Sequence, residues 1–484
     1  MLRRRGRQLW VAFALTTAVV AGGTAVEVRR SGGLFAAHEG RPTPVPSTST
    51  SPLPIDPRSS PPPHPSPGGL LGSAAPVPGQ AAVARALDTA FADPRLGPRV
   101  SAVVTDAATG TVLYSRNGAL PVTPASTAKV VTALAALHVL GPDRRIETVV
   151  VPDGTIVGRR LTGRLVLVGG GDTTLASPAG ARRVAYPELA QVDALARAVR
   201  RLGVTEITGG VAVDASLFSG PRVGPGWKPN YLSEGSAAVV TPLMVDSGRL
   251  ELGESERYAD PDLAAGRVLR DLLRRLGVRL PDAIARGTAP AGVEPIGRVS
   301  SPTVAALVER MLGVSDNNLA ETLAHLVGRE RGRPASFAGG AQATAEALAE
   351  LGLAGDGSGL VDGSGLSPRN RMTTAALARV IGAALRPDRP ALRALVSGLP
   401  VAGFGGTLEE RYDEGPATVG AGRVRAKTGS LDNVSTLAGV IETADGRQLV
   451  FAFSADRLPS RLATAAAEVL DVAASSIARC GCPA

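Results

Sequence analysis

Lysine stands at only three positions, 129, 228 and 427, in a chain whose Lys and Arg together number 52. Arginine serves as well as lysine for an exposed positive charge, but only lysine can give up its proton near neutral pH. A position that keeps lysine against such a bias is a candidate for proton chemistry. Lys129 lies in PVTPASTAKVVTALAALHVLG, residues 121–141. Pro124 stops the preceding segment, Ser126 or a neighbour is placed to cap a helix, and Val130, Leu134 and Leu137 recur at helical spacing until Gly141-Pro142. Ser126 and Lys129, three apart, then share one helix face. The helix N-terminus adds free N–H groups and a positive dipole end beside the hydroxyl. A nucleophilic serine needs such a base and such donors. To act as the base, Lys129 must lose its proton about three pH units below the ordinary lysine value, roughly 4 kcal/mol, through desolvation and a nearby like charge.

Ser-x-x-Lys by itself is a weak pattern, and its partners decide its meaning. Ser315, Asp316 and Asn317 sit in MLGVSDNNLAETLAHL, between the helix-like run TVAALVERML and a second apolar run, on a turn that can face a cleft. Lys427, Thr428, Gly429 and Ser430 fall in a β-rich segment: RVRAKTGS, then VSTLAGVIET, a turn at Asp445-Gly446, and RQLVFAFS. A strand edge there offers backbone N–H groups able to pair with an extended peptide.

Ser126-Thr127-Ala128-Lys129, Ser315-Asp316-Asn317 and Lys427-Thr428-Gly429, in that order, resemble the three active-site motifs of penicillin-binding proteins and serine β-lactamases. GRLVLVGGGDTTL (163–175), VDASLFSGPRVGPGWKPNY (213–231) and DGSGLSPRNRMT (362–373) are similar to segments of the low-molecular-mass class C group, the D-alanyl-D-alanine carboxypeptidase/endopeptidases. The resemblance spans roughly residues 80–478. It implies an α/β (α+β) transpeptidase-like domain, an antiparallel sheet formed by both chain ends and flanked by helices, carrying a smaller inserted β-rich domain. It also implies roles. Ser126 would be acylated, with Lys129 as its general base. Ser315 would relay a proton to the leaving amine, and Asn317 would orient the substrate amide. Lys427 would keep its charge, lower the pKa of Lys129 and, with Thr428 and Ser430, bind the terminal carboxylate. The N–H groups of Ser126 and Ser430 would form the oxyanion hole. Ser367 and Arg371 correspond to positions lining the family's side-chain pocket. No metal or cofactor is implied. The expected activity removes the terminal D-Ala of peptidoglycan stem peptides, or cleaves D-Ala cross-links, through an acyl-enzyme that β-lactams also form. A β-lactamase or esterase of the same superfamily, and a cell-wall-binding protein without activity, are the alternative readings.

The elements that must hold these groups are legible without the resemblance. GQAAVARALDTAFADP from Gly79 has helical spacing, RVSAVVTDAATGTVLYSRNG reads as two strands about a turn near Asp106 to Gly110, and SRLATAAAEVLDVAASSIA reads as a final helix. A hairpin at each end and a closing helix are what a sheet made from both chain ends requires. The catalytic domain is thus expected at 79–144 and 296–478, interrupted by an insert at 145–295 and followed by a tail at 479–484. The insert is short for the family, which implies a reduced subdomain.

At 484 residues and 44% hydrophobic, the chain can hold two or three structural units. Its net charge of +9 comes from scattered arginines, and aromatics make up 3%, so no basic stripe with stacking residues supports nucleic-acid binding. Arg3, Arg4, Arg5 and Arg7 precede an apolar run from Leu9 to Val26, an export signal over residues 1–30. It is either an uncleaved membrane anchor or a signal peptide cut near Gly23-Thr24-Ala25, and the positive-inside rule places the chain beyond the apolar run outside the cytoplasm. Residues 31–78, rich in Pro, Ser and Thr, read as an extended disordered spacer. Cys480 and Cys482 are too close for an unstrained disulfide and too few to hold a metal, and no His-Glu-x-x-His supports a zinc peptidase. Lys228 reads as structural, and His138 and His325 as helix-packing residues.

Overall fold

A computed structural model of the protein describes residues 75–184, 187–354 and 357–480. The export segment expected at 1–30, the spacer expected at 31–78 as far as residue 74, and residues 481–484 of the tail lie outside the described residues. Among the described residues, no helix is long and apolar enough to cross a membrane.

Helix α1 (Gln80–Phe91) leads into the hairpin of β1 (Arg99–Asp106) and β2 (Val112–Arg116). Asp106 makes the turn by accepting the N–H and hydroxyl of Thr109 at 2.8 and 2.9 Å. After α2 (Ala128–Val139) the chain leaves this sheet. β3 (Arg145–Val157), β4 (Arg160–Val168), α3 (Val192–Arg201), β5 (Glu206–Ile207), β6 (Val211–Asp214), α4 (Pro261–Arg275), β7 (Ile284–Arg286) and β8 (Gly297–Thr303) build a second sheet. Its order is β7-β6-β4-β3-β8, with β5 beside β4. β3 is antiparallel to both neighbours, whereas β4, β6 and β7 run parallel. Leu195 and Val199 of α3 and Leu269 and Leu273 of α4 pack onto Leu165, Leu167, Val211 and Val213. The strands of this sheet run from Arg145 to Thr303, so it takes in β8, past residue 295.

Helices α5 (Val304–Gly313), α6 (Asn317–Glu330), α7 (Phe337–Glu350) and α8 (Thr374–Leu385) come next, then β9 (Val424–Leu431), β10 (Val434–Glu442), β11 (Gln448–Asp456) and α9 (Ala463–Ala478). The first sheet is antiparallel in the order β2-β1-β11-β10-β9, with Val103 opposite Ala452, so both chain ends close it. Alternation of period two divides its faces. Val100, Ala102, Val104, Phe451 and Phe453 pack against α1 and α9, while Val103, Val450 and Ala452 face the helices of the other side. Helix α2 is buried from Ala128 to Leu137, more than its one-sided spacing implied, because α5, α6, α7 and α8 enclose the side away from the sheet. Cys480, just past α9, is buried and disulfide-bonded.

The two hairpins are joined by a buried ion pair, Arg447 Nε and Nη2 donating to Asp106 at 2.5 and 2.8 Å. Breaking such a pair strands a charge in the interior. Arg447→Met is therefore expected to lower unfolding free energy by about 3–5 kcal/mol in urea titrations. A loss below about 1 kcal/mol would show that the pair does not lock the hairpins.

Candidate active site

A single turn, Ala125–Thr127, joins Pro124 to α2, with Ala125 in the left-handed region at φ +47°. The turn is fastened to the sheet: Thr127 Oγ1 and Thr436 Oγ1 of β10 donate to the Pro124 carbonyl at 2.6 and 2.9 Å. Neither Pro124 nor Thr127 caps the helix with its side chain, and the half-buried Ser126 hydroxyl accepts instead from Lys129 Nζ at 2.9 Å.

Lys129 has no exposed surface. Its ammonium spends all three donors on Ser126 Oγ, Asn317 Oδ1 at 2.6 Å and the Ser364 carbonyl at 2.7 Å. Burial lowers its pKa to about 8, against the opposing pull of Glu321, Asp362 and Asp316. The second motif reaches this point through a helix start. Asp316 caps α6 by accepting the Leu319 N–H at 3.0 Å, and Asn317 gives its Nδ2 to the Ser236 carbonyl at 2.8 Å, leaving Oδ1 for Lys129. Ser315 precedes them, half-buried, with φ +57°.

Lys427 is equally buried, and its Nζ donates to the Thr428 carbonyl at 2.9 Å. Burial first, then the charges of Lys129 and Arg411, push its ammonium well below the usual lysine range. Lys129 and Lys427 stand in one dry wall and each disfavours the other's charge, while the acidic neighbours stand around Lys129. Thr428 bonds Thr407 through their hydroxyls at 2.9 Å, and Ser430 is exposed. β9 is an edge strand: the Ala426 N–H and Val424 carbonyl pair with Pro400 and Ala402 at 2.9 Å, while from Lys427 onward the outer edge has no strand partner among the described residues. A Cβ on Gly429 would stand 3.1 Å from the Ser126 nitrogen, so the strand passes directly beside the Ser126 amide.

Ser367 and Arg371 do not join this cluster. Ser367 is fully buried, its hydroxyl donating to the Pro225 carbonyl at 2.6 Å. Arg371 is exposed, but its guanidinium folds back on the carbonyls of Pro368 and Asn370, both at 2.7 Å. Three side chains that the sequence pattern did not single out for the site stand here instead. Glu321 accepts the N–H groups of Gly363 and Ser364, each at 2.8 Å. Asp362 accepts from Trp227 Nε1 at 2.8 Å, from Asn370 Nδ2 at 2.7 Å and from the N–H groups of Gly365 and Ser367. Lys228, the third lysine, forms an ion pair with Asp432, just past β9. Of these only Glu321 had a signal, four residues after Asn317 and so on its helix face.

A serine and a desolvated lysine at a helix start, an asparagine aimed at that lysine and an open strand edge are the groups that an active-site serine enzyme needs, here set on a helix-flanked antiparallel sheet. The chain belongs to the D-Ala-D-Ala carboxypeptidase 3 (S13) family, whose profile matches residues 83–257 and 251–476. It is 38% identical over 413 residues to a carboxypeptidase of Mycobacterium tuberculosis, covering 84% of this chain and 86% of that one. It is 37% identical over 413 residues to carboxypeptidase DacB of Mycolicibacterium smegmatis, covering 85% and 86%. Its fold is similar to that of penicillin binding protein 4 from Haemophilus influenzae, with a TM-score of 0.64 at 23% identity over 78% of this chain and 93% of that chain.

The approach of β9 leaves no room at Gly429, where a Cβ would lie 2.1 Å from Thr436 Oγ1 and 2.9 Å from the Pro124 carbonyl. Gly429→Ala is expected to slow acylation by a β-lactam at least about a hundredfold while the far-ultraviolet circular dichroism stays that of the parent. Acylation within a few-fold of the parent would mean that the approach of the strand to Ser126 does not matter to that reaction.

Proposed function

We propose that this chain is a serine-type D-alanyl-D-alanine carboxypeptidase acting outside the cytoplasm on peptidoglycan stem peptides through an acyl-enzyme on Ser126. The observation that carries the reading is the buried Lys129 ammonium, held at once by Ser126 Oγ, Asn317 Oδ1 and the Ser364 carbonyl beside an open strand edge. The stem peptide extends along β9, and its terminal carboxylate takes Thr428, Ser430 and Lys427. The negative charge of that carboxylate favours the protonated, cationic form of Lys427, and that cation makes the proton on Lys129 easier to lose. Neutral Lys129 accepts the Ser126 proton as Oγ attacks the penultimate D-Ala carbonyl, while Asn317 aligns the peptide amide. The oxyanion is held by the N–H groups of Ser126 and Ser430. Ser315 passes the proton from Lys129 to the departing amine, D-Ala leaves, and water hydrolyses the ester. A D-Ala cross-link presents the same bond, so endopeptidase activity belongs to the same proposal. In a β-lactam the departing amine stays tethered to the acyl group, and the adduct persists. Residues 1–30 export the chain and tether it to the membrane or are cleaved, and residues 31–78 span the distance to the wall.

Intact-mass and peptide-mapping spectrometry after penicillin treatment should find one stable adduct, on Ser126. Rapid turnover of the drug would instead mark a β-lactamase, and no adduct a protein without the activity. Because the base is neutral Lys129, with a pKa of about 8, the acylation rate should rise about tenfold per pH unit below that value and level off above it. Lys129→Arg keeps the charge without an accessible neutral form and should slow acylation by about two to four orders of magnitude, with Lys427→Arg milder. Equal, small losses in both would remove Lys129 from the role of base.

A further inference from the structure

Glu321 takes no part in the chemistry proposed for Ser126, yet its carboxylate is fully buried in the wall behind Lys129. It stands on α6 one turn after Asn317, beneath the loop that carries Ser364. Oε2 accepts the Gly363 N–H and Oε1 the Ser364 N–H, each at 2.8 Å. The carbonyls of the same two residues point the other way. That of Gly363 accepts from Thr132 Oγ1 on α2 at 2.6 Å, and that of Ser364 from Lys129 Nζ at 2.7 Å. The loop is thus clamped between two helices, with Glu321 on its N–H side and Lys129 on its carbonyl side. Anchoring the loop asks for two acceptor oxygens and not for a charge, whereas an ionised carboxylate out of water costs several kcal/mol unless a cation repays it. Lys129, equally out of water and hydrogen-bonded to the clamped peptide, is that cation.

We propose that Glu321 is a positioning residue for the acylation step, aiming the Ser364 carbonyl at Lys129 and supplying the negative charge that keeps a proton on Lys129 until a substrate arrives. The inference rests on the proposed roles of Ser126 as nucleophile and Lys129 as base, and assigns their regulation to a third side chain. The charged groups facing this pair are Asp316 on α6, Asp362 on the loop and Lys427 on β9, itself faced by Arg411. His325, one turn beyond Glu321, is held down to about 4 by burial and is neutral. Burial, with Asp362 adding to it, pushes the Glu321 carboxyl upward, and its bonds to Ser364 and Gly363 oppose that rise. Two N–H donors aimed at two separate oxygens favour the anion. Its charge in turn pulls Lys129 upward, so the two groups titrate as a linked pair. Removing the Glu321 charge therefore moves the Lys129 titration toward lower pH.

Three lysines make a direct reading practicable. The full chain labelled with lysine carrying carbon-13 at Cε gives three titrating signals, and the one missing from Lys129→Arg belongs to Lys129. In Glu321→Gln the Lys129 midpoint is expected about one pH unit lower than in the parent, and the rising limb of the penicillin acylation rate should shift with it. The plateau of that rate should fall about tenfold or more, because glutamine cannot accept both N–H groups. Glu321→Asp keeps the charge on a shorter stem, so the plateau should fall while the midpoint stays. A lowered plateau with an unmoved midpoint in Glu321→Gln would leave Glu321 a purely structural anchor, and an Asp variant that shifts as far as the Gln variant would remove charge as the cause. If Glu321→Gln does not fold, the Asp variant decides alone: a moved midpoint overturns the proposal, an unmoved one with a lowered plateau supports it. Absence of acylation in the parent would instead overturn the proposed function, while the lysine titration still measures the effect of Glu321.

Discussion

The Lys129 ammonium reaches a serine hydroxyl, an amide oxygen and a peptide carbonyl from a position with no contact to water, and Lys427 lies in the same wall, equally dry. Each buried cation loses several kcal/mol of hydration. The catalytic half of the molecule is arranged around recovering that loss for one of them and not for the other. Helix α2 is apolar all round, so it runs through the centre of the domain and carries Lys129 inside with it. Glu321 and Asp362 gather around that lysine, whereas Lys427 finds the carbonyl of its own neighbour and the repulsion of Arg411. The asymmetry is one of partners: Lys129 has oxygen acceptors and carboxylates around it, whereas Lys427 lacks what an anionic ligand would bring.

The second sheet is part of this arrangement because its connections come back to the same wall. The segment between β6 and α4 places Trp227 against Asp362, Ser236 against Asn317 and Ala238 against both amide atoms of Asn318. Asp362 in turn holds the loop whose carbonyl meets Lys129. An excursion that leaves the chain between the first and second motifs thus returns to fix the geometry of both, and Lys228 reaches Asp432 at the far end of β9.

What the sequence made legible was what short-range pattern encodes. The three motifs, the strands of the closing hairpin and the terminal helix are set by spacing and alternation, which survive in any fold that buries them. The helix cap was misread because Ser126 has a stronger local suitor in Lys129 than the free N–H groups. Glu321 was overlooked although its spacing from Asn317 was visible, because a glutamate on a helix is ordinarily solvated and only the tertiary fold closes the wall over it. Asp362 and Trp227 meet across 135 residues of chain, a contact that no periodicity announces. Ser367 was assigned a pocket role by the resemblance, whereas its hydroxyl is committed to the Pro225 carbonyl.

The sheet that carries β9 is completed by strands from opposite ends of the folded chain, and Asp106 and Arg447, which clasp it, are 341 residues apart. Closing so long a loop is slow, because its entropy is lost before the non-local contacts repay it. A chain made from its N-terminus exposes Ser126 and Lys129 early. Until the last hairpin docks, the lysine remains in water with an ordinary affinity for protons, and no strand runs beside the serine amide. The desolvation of Lys129 therefore arrives only with the final folding event. A chain cut short or caught partly folded carries the full Ser-x-x-Lys sequence without the dry wall that loosens the lysine's hold on its proton.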